Sequence, residues 1–172
     1  MDKTLIENWN ARVKEEDTVW HIGDFCFKNT ISMAHRGEGN IHPASYYESK
    51  LNGKIIFIKG SHDKNNSCKT CLLNATIELG GYRMGLVHDP KHVKPNFDFN
   101  LVGHVHNLWK CHRIHVNFKA VDMINVGVDM WNFRPITIEE ITAEYMRWKK
   151  TLELSITKKN KLPVKTGEVI DI

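Results

Sequence analysis

Short apolar, β-branched runs that stop at a glycine, an aspartate or a histidine dominate the middle of this chain. The run KIIFIK at 54–59 ends at Gly60, and the run YRMGLV at 82–87 ends at His88. Runs of this length and composition predict β-strands. Because polar residues or glycines follow the strands at once, we expect sheets whose ends carry polar side chains.

Other segments have equally clear patterns. Leu5, Ile6, Trp9 and Val13 recur at helical spacing and predict a helix over 2–13. Further strands are predicted at 17–22, 75–79, 99–103, 113–118 (at a sheet edge), 123–128 and 135–138, and further helices at 46–51 and 138–150. Gly80-Gly81 predicts a hairpin turn. Two central sheets flanked by helices fit this order, and so does a three-layer α/β fold.

The length and charge are those of one globular domain. The chain has 172 residues and a net charge of +4. We predict a single domain over 1–150 and a C-terminal extension over 151–172 that is poorly ordered or extended. No run of about eighteen apolar residues and no secretion signal occur, so a cytoplasmic protein without a membrane partner is expected. No basic stripe interleaved with aromatics supports nucleic-acid binding.

Potential metal ligands follow four of the predicted strands. The segments are Gly23-Asp24, Gly60-Ser61-His62-Asp63, His88-Asp89 and Gly103-His104-Val105-His106. Ligands gather beyond the carboxyl ends of strands in α/β sheets. Imidazoles with a carboxylate suit Mn, Fe, Zn or Ni. The four segments together therefore predict a divalent-metal site.

The order of these segments resembles the calcineurin-like metallophosphoesterase family. The flanking stretches HIGDF, LNGKIIFIKG, LVGHVH and INVGVDMWNFRPITIEEI are similar to a small bacterial, archaeal and phage subgroup of it, over roughly residues 3–142. The resemblance implies a four-layer α/β/β/α sandwich with a two-metal site. It also implies hydrolysis of a phosphomonoester or phosphodiester by metal-activated water.

The resemblance also implies a role for each matching residue. Asp24 would bridge two metals, His88 and His104 would bind one of them, and His106 would bind the other. His62 would stabilise or protonate the leaving oxygen, and Asp63 would orient His62.

Two departures from the family pattern bear on activity. The family begins with a strand that ends in Asp-x-His, and no such motif precedes Asp24 here, so we expect that the N-terminal strand is missing. Ser61 stands where the family has a metal-binding Asn, and its hydroxyl would ligate weakly or through water. We therefore expect at best one well-held metal and impaired catalysis.

The missing strand leads to two further expectations. It would leave an unpaired sheet edge, which predicts a homodimer. The alternative function is a catalytically dead family member that binds nucleic acid or protein.

The cysteines allow a minor alternative. Cys68-x-x-Cys71 could form half of a zinc site that Cys111 and His112 or His115 complete, although packing in the core is the simpler reading. His21, in the strand before Asp24, is expected to be a core histidine or to support the site. The segment 28–45 reads as a loop or irregular insertion that could cover the site.

Overall fold

The computed structural model describes residues 2–26, 42–63 and 72–160. In these residues the helices are α1 (Asp2–Asn10), α2 (Ala44–Glu48) and α3 (Ile138–Asn160). The strands are β1 (Thr18–His21), β2 (Lys54–Phe57), β3 (Asn74–Leu79), β4 (Tyr82–Val87), β5 (Phe99–Val102), β6 (Cys111–Val116) and β7 (Lys119–Asn125). Short 3-10 turns cover Pro90–His92 and Val128–Met130.

The strands form two sheets. β1 and β2 pair in parallel, with Thr18 opposite Lys54. The other five form a mixed sheet in the order β3-β4-β5-β7-β6, in which β4, β5 and β7 run parallel. The carboxyl ends of these three central strands therefore lie along the same edge of the sheet, and the residues that follow them are brought close together.

Burial follows the position of each strand in the five-stranded sheet. All four residues of the central strand β5 are buried, whereas the edge strand β3 alternates between exposed and partly buried residues. A strand covered on both faces is mostly apolar, and an edge strand with one wet face need not be. The core thus sits on the parallel part of the sheet, directly behind its carboxyl edge.

One apolar cluster joins the two sheets and α3. It contains Ile22 and Ile58 from the ends of β1 and β2, buried residues of β4, β5 and β7, and Ile141 and Tyr145 of α3. Val87, Val102, Val121 and Met123 belong to a second cluster. Since side chains alternate along a strand, the five-stranded sheet buries a different apolar set on each face.

Helix α3 begins with a capping box. The Glu140 backbone N–H donates to Thr137 Oγ1 at 3.4 Å, and the Thr137 N–H donates to Glu140 Oε2 at 3.0 Å. This reciprocal pair satisfies two amide groups that the first helical turn leaves without partners. The prediction of a strand at 135–138 is therefore wrong, because these residues lead into the helix and form its cap.

The sheet agrees with the predictions, whereas the C-terminal part of the described chain does not. The mixed α/β class, the Gly80-Gly81 hairpin and the edge position of β6 are confirmed, and both glycines have the positive φ (61° and 80°) that such a turn needs. The expectation of an extended tail is wrong over 151–160, which are helical. The four-layer arrangement and the domain boundary at 150 stay predictions.

Some predictions fall on residues outside the described ranges. They include Cys68, Cys71, most of the segment 28–45 and the tail beyond residue 160. Among the helices that are described, none has the length and apolar character needed to span a bilayer.

Candidate metal centre

Three of the predicted ligands meet at the junction of the two sheets. Asp24 follows β1, His88 directly follows β4, and His104 follows β5. Ligand atoms of all three lie within 4.8 Å of one another. His88 Nε2 is 3.1 Å from Asp24 Oδ2 and 3.2 Å from His104 Nδ1. We call these three residues the triad.

A hydrogen bond from Nδ1 of His88 fixes the orientation of its ring. His88 is buried, and its Nδ1 lies 2.8 Å from the backbone carbonyl of Ile22. A carbonyl oxygen only accepts, so Nδ1 carries a proton and Nε2 faces the other two triad residues. Metal-binding histidines are commonly oriented in this way by a backbone carbonyl.

The donor set of the triad fits a divalent cation. Asp24 Oδ2 and His88 Nε2 face each other at 3.1 Å, which is favourable only when a proton or a cation lies between them. Three protein ligands with one side open to water are the pattern of catalytic rather than purely structural sites. His104 lies on that open side, since it is the exposed member of the triad.

Three residues at the site share a left-handed backbone conformation. Asp24, His104 and His106 all have positive φ, at 57°, 65° and 47°. Left-handed conformations are uncommon for residues with a Cβ and tend to persist at functional sites, where surrounding contacts enforce them. Three candidate ligands in this conformation therefore indicate a functional constraint.

Asp24 is further held by the turn after β2. The His62 backbone N–H donates to Asp24 Oδ1 at 2.8 Å, and Ser61 Oγ lies 3.4 Å from Asp24 Oδ2. A Cβ on Gly60 would overlap the Asp24 carboxylate, so only glycine allows this approach. The glycine that ends the predicted strand thus makes room for the ligand of the neighbouring strand.

Asp63 has a structural role that its position in the sequence did not reveal. Its buried carboxylate accepts the backbone N–H groups of Asp24 at 2.8 Å, Gly60 at 2.9 Å and Phe25 at 3.2 Å. These bonds fasten the turn after β1 to the turn after β2. The expectation that Asp63 orients His62 stays a prediction.

His106 lies outside the triad, in a groove beside it. The groove is lined by residues 104–108 and by Asp129, whose Oδ2 is 3.6 Å from His106 Nδ1. Asp129 follows β7, the third parallel strand that ends at this edge, and sequence reasoning missed it. The signal was available, because another strand-like run, MINVGV, is followed by an aspartate. Metal binding by His106 stays a prediction.

A buried amide joins the two walls of this groove. Asn125 Nδ2 donates to the carbonyls of His106 at 2.6 Å and Trp109 at 2.9 Å, and Asn125 Oδ1 accepts the Gly127 N–H at 2.9 Å. Asn125 has no exposed surface. It therefore fixes the position of the His106 turn relative to the loop that carries Asp129.

Two further residues behave as buried groups rather than ligands. Burial lowers the pKa of His21 to about 4, and its Nδ1 has no hydrogen-bond partner among the described residues. Its ring packs edge-on against Phe25. Burial likewise raises the pKa of the Cys111 thiol to about 12, which disfavours the thiolate that a zinc site would need.

A solved structure of another protein shares this fold. No family model matches the chain. A crystal structure of AQ665, a protein of unknown function from Aquifex aeolicus, is 23% identical, covers 83% of each chain and has a TM-score of 0.56, so the two share a fold. A Vps29 single mutant from Entamoeba histolytica is 17% identical over 73% of this chain and 63% of its own, with a TM-score of 0.41.

A relative in an archaeon is closer in sequence. The uncharacterized protein MJ1445 of Methanocaldococcus jannaschii is 33% identical over 144 residues, which are 82% of this chain and 73% of the relative. Identity at this level over this length shows common descent. The chain therefore belongs to the same family as MJ1445.

Proposed function

We propose that this chain is a divalent-metal-dependent phosphoesterase that hydrolyses a phosphomonoester or a phosphodiester. The observation that carries the proposal is the convergence of Asp24, His88 and His104 from three strand ends to within 4.8 Å of one another. The order of the strand-end motifs, which resembles that of calcineurin-like metallophosphoesterases, supports the same chemistry.

Asp24, His88 and His104 would hold the cation. When bound, a divalent cation lowers the pKa of a coordinated water and neutralises charge on phosphoryl oxygens. The protein contributes fixed ligand positions, since hydrogen bonds to backbone groups hold both Asp24 and His88. Ligands held in place before substrate arrives need no reorganisation during the reaction.

His62 is the residue that we assign to the leaving group. Its backbone N–H binds Asp24, so His62 lies beside the triad, and its side chain is exposed. An imidazole next to the site can give a proton to the departing ester oxygen near neutral pH. Because Ser61 stands in place of a ligand and no Asp-x-His motif precedes Asp24, turnover is expected to be slow.

Asp24→Asn tests this function. An amide cannot supply the negative charge of the carboxylate, so we expect the variant to lose metal uptake and hydrolysis together. Manganese content by elemental analysis and hydrolysis of p-nitrophenyl phosphate and bis-p-nitrophenyl phosphate measure the two losses. Asp17→Asn, an exposed aspartate in the loop before β1, is the matched control and should behave as the wild type.

Three results bear on the proposal in different ways. Full manganese content in Asp24→Asn would mean that the cation lies elsewhere. Metal uptake by the wild type without hydrolysis of either ester, in the presence of Mn²⁺, would favour a catalytically inert binding protein. Hydrolysis that survives Asp24→Asn would contradict the assigned centre.

A further inference from the structure

The groove beside the triad, lined by residues 104–108 and Asp129, presents an apolar side chain to solvent. Leu108 is 77% exposed, although a leucine side chain gains free energy when it is removed from water. Singly exposed apolar residues are common and by themselves indicate nothing. Leu108 differs because it lines a groove of about 600 Å³ to which His104 of the triad also contributes. Cavities of this volume accommodate small organic ligands.

The backbone on both sides of Leu108 is held in place. The buried amide of Asn125 donates to the carbonyls of His106 at 2.6 Å and Trp109 at 2.9 Å. The Leu108 N–H donates to the Val105 carbonyl at 3.1 Å. A ligand that contacts Leu108 therefore has little backbone freedom to remove, and the cost of ordering this wall is small.

The charge of the groove restricts what can lie against Leu108. Its described lining contains no lysine or arginine, and the partly exposed carboxylate of Asp129 faces it. A second anionic group placed beside that carboxylate would be repelled. An uncharged group with an apolar surface meets no such repulsion, and contact with Leu108 removes apolar surface of both from water.

We propose that the groove binds the organic group of a phosphate ester, and that this group is uncharged and apolar, as in the ester of an alcohol that carries a phenyl ring. The inference rests on the proposed function, because the phosphoryl group of the same ester would lie at the triad. His104 belongs to the triad and also lines the groove, so one ligand can contact both. Leu108 then selects apolar ester groups, and Asp129 disfavours anionic ones.

Two phosphonates that cannot be hydrolysed test the proposal on the manganese-loaded protein. 2-Phenylethylphosphonate and ethylphosphonate carry the same charge and differ by one ring. Isothermal titration calorimetry should show that the wild type binds the phenyl compound at least about tenfold more tightly, a ratio that requires burial of only about 55 Å² of apolar surface. In Leu108→Ser this preference should fall to about threefold or less, because most of that contact is lost, while the affinity for ethylphosphonate stays unchanged.

Leu108→Met and Leu79→Ser are the matched controls. The first keeps an apolar side chain at the same place and should retain the preference. The second makes the serine substitution at another exposed leucine, which pairs with Tyr82 at the end of β4 opposite the triad, and should behave as the wild type. Equal affinities of the wild type for the two phosphonates would overturn the proposal, and so would a preference that survives Leu108→Ser.

A charged analogue tests the effect of Asp129. 2-Carboxyethylphosphonate should bind the wild type more weakly than ethylphosphonate does, because its carboxylate would lie near that of Asp129. Asp129→Asn should reduce the difference, since an amide carries no charge. Equal affinities of the wild type for these two compounds would contradict the exclusion of anionic groups from the groove.

Hydrolysis separates this proposal from the function on which it rests. Hydrolysis of p-nitrophenyl phosphate or bis-p-nitrophenyl phosphate, without a Leu108-dependent preference among the phosphonates, would overturn the groove assignment alone. A Leu108-dependent preference without hydrolysis of any ester would overturn the phosphoesterase activity and support the groove as a binding site. A wild type that binds neither phosphonate and hydrolyses no ester would overturn both.

Discussion

Ser61 is the residue at which a single substitution should strengthen the metal centre. Its Oγ lies 3.4 Å from Asp24 Oδ2, so the side chain already faces the triad, but a hydroxyl is a short and poor ligand. The amide oxygen of an asparagine reaches further and is a good cation ligand. We expect Ser61→Asn to bind Mn²⁺ about tenfold or more tightly than the wild type.

A competition titration against a metal-binding dye measures this gain. Ser61→Ala is the matched control, because it removes the hydroxyl without adding a ligand, and its affinity should not rise. Equal affinities in Ser61→Asn and Ser61→Ala would show that position 61 does not reach the cation.

At the scale of elements, the hydroxyl of Tyr145 joins α3 to the sheet by hydrogen bonds. Tyr145 OH donates to Asp122 Oδ2 at 2.9 Å and lies 3.1 Å from the Asp98 carbonyl oxygen. Burial raises the pKa of Asp122, but hydrogen bonds from Arg113 and Tyr145 outweigh it and hold that pKa below its ordinary value. The hydroxyl therefore joins α3 to a buried, charged network.

Tyr145→Phe removes only this hydroxyl. We expect a loss of about 1–2 kcal/mol in the free energy of unfolding, because a hydrogen bond to a charged group is lost while ring packing is kept. Urea unfolding measures it. Met146→Leu, on the exposed side of the same helix, should change stability by less than about 0.5 kcal/mol. Reduced manganese content in Tyr145→Phe would contradict the separation between this network and the site.

The elements also show what local sequence can and cannot reveal. The Gly80-Gly81 hairpin could be predicted because the turn conformation depends on those two residues alone. Residues 135–138 were misread because β-branched residues next to a proline look like a strand. Their helical role depends on the pairing of Thr137 with Glu140, three residues ahead, and on packing of α3 against the sheet.

The same contrast holds for the site. Asp24, His88 and His104 could be predicted because each lies within three residues of the end of a strand, and strand ends meet. Asp129 directly follows the predicted strand 123–128 and could have been found in the same way, although the strand itself ends earlier, at Asn125. The roles of Asp63 and Asn125 could not be predicted, because both side chains bind backbone groups of distant segments, and no local pattern encodes such contacts.

At the scale of the whole molecule, stability should depend on acid through His21. Burial lowers the pKa of His21 from 6.5 to about 4, although Asp63 and Asp24 act in the opposite direction. The unfolded chain therefore binds this proton more readily than the folded one. The free energy of unfolding should fall as the pH drops from about 6.5 to about 4, by on the order of 3 kcal/mol for this group, and should level off below.

Urea unfolding at a series of pH values, with a chelator present to remove metal linkage, measures this effect. His21→Leu should flatten the fall between those pH values. His115→Leu, which removes an exposed imidazole on β6, should leave it unchanged. An equally steep fall in His21→Leu would assign the acid sensitivity to another group.

The triad combines residues 24, 88 and 104, so a cation could bind it only after all three segments have been synthesised. While the chain is being synthesised, the ribosome must release more than half of it before His104 can join Asp24. Metal loading would then report that these three segments have come together, and a product truncated before residue 104 would remain unloaded.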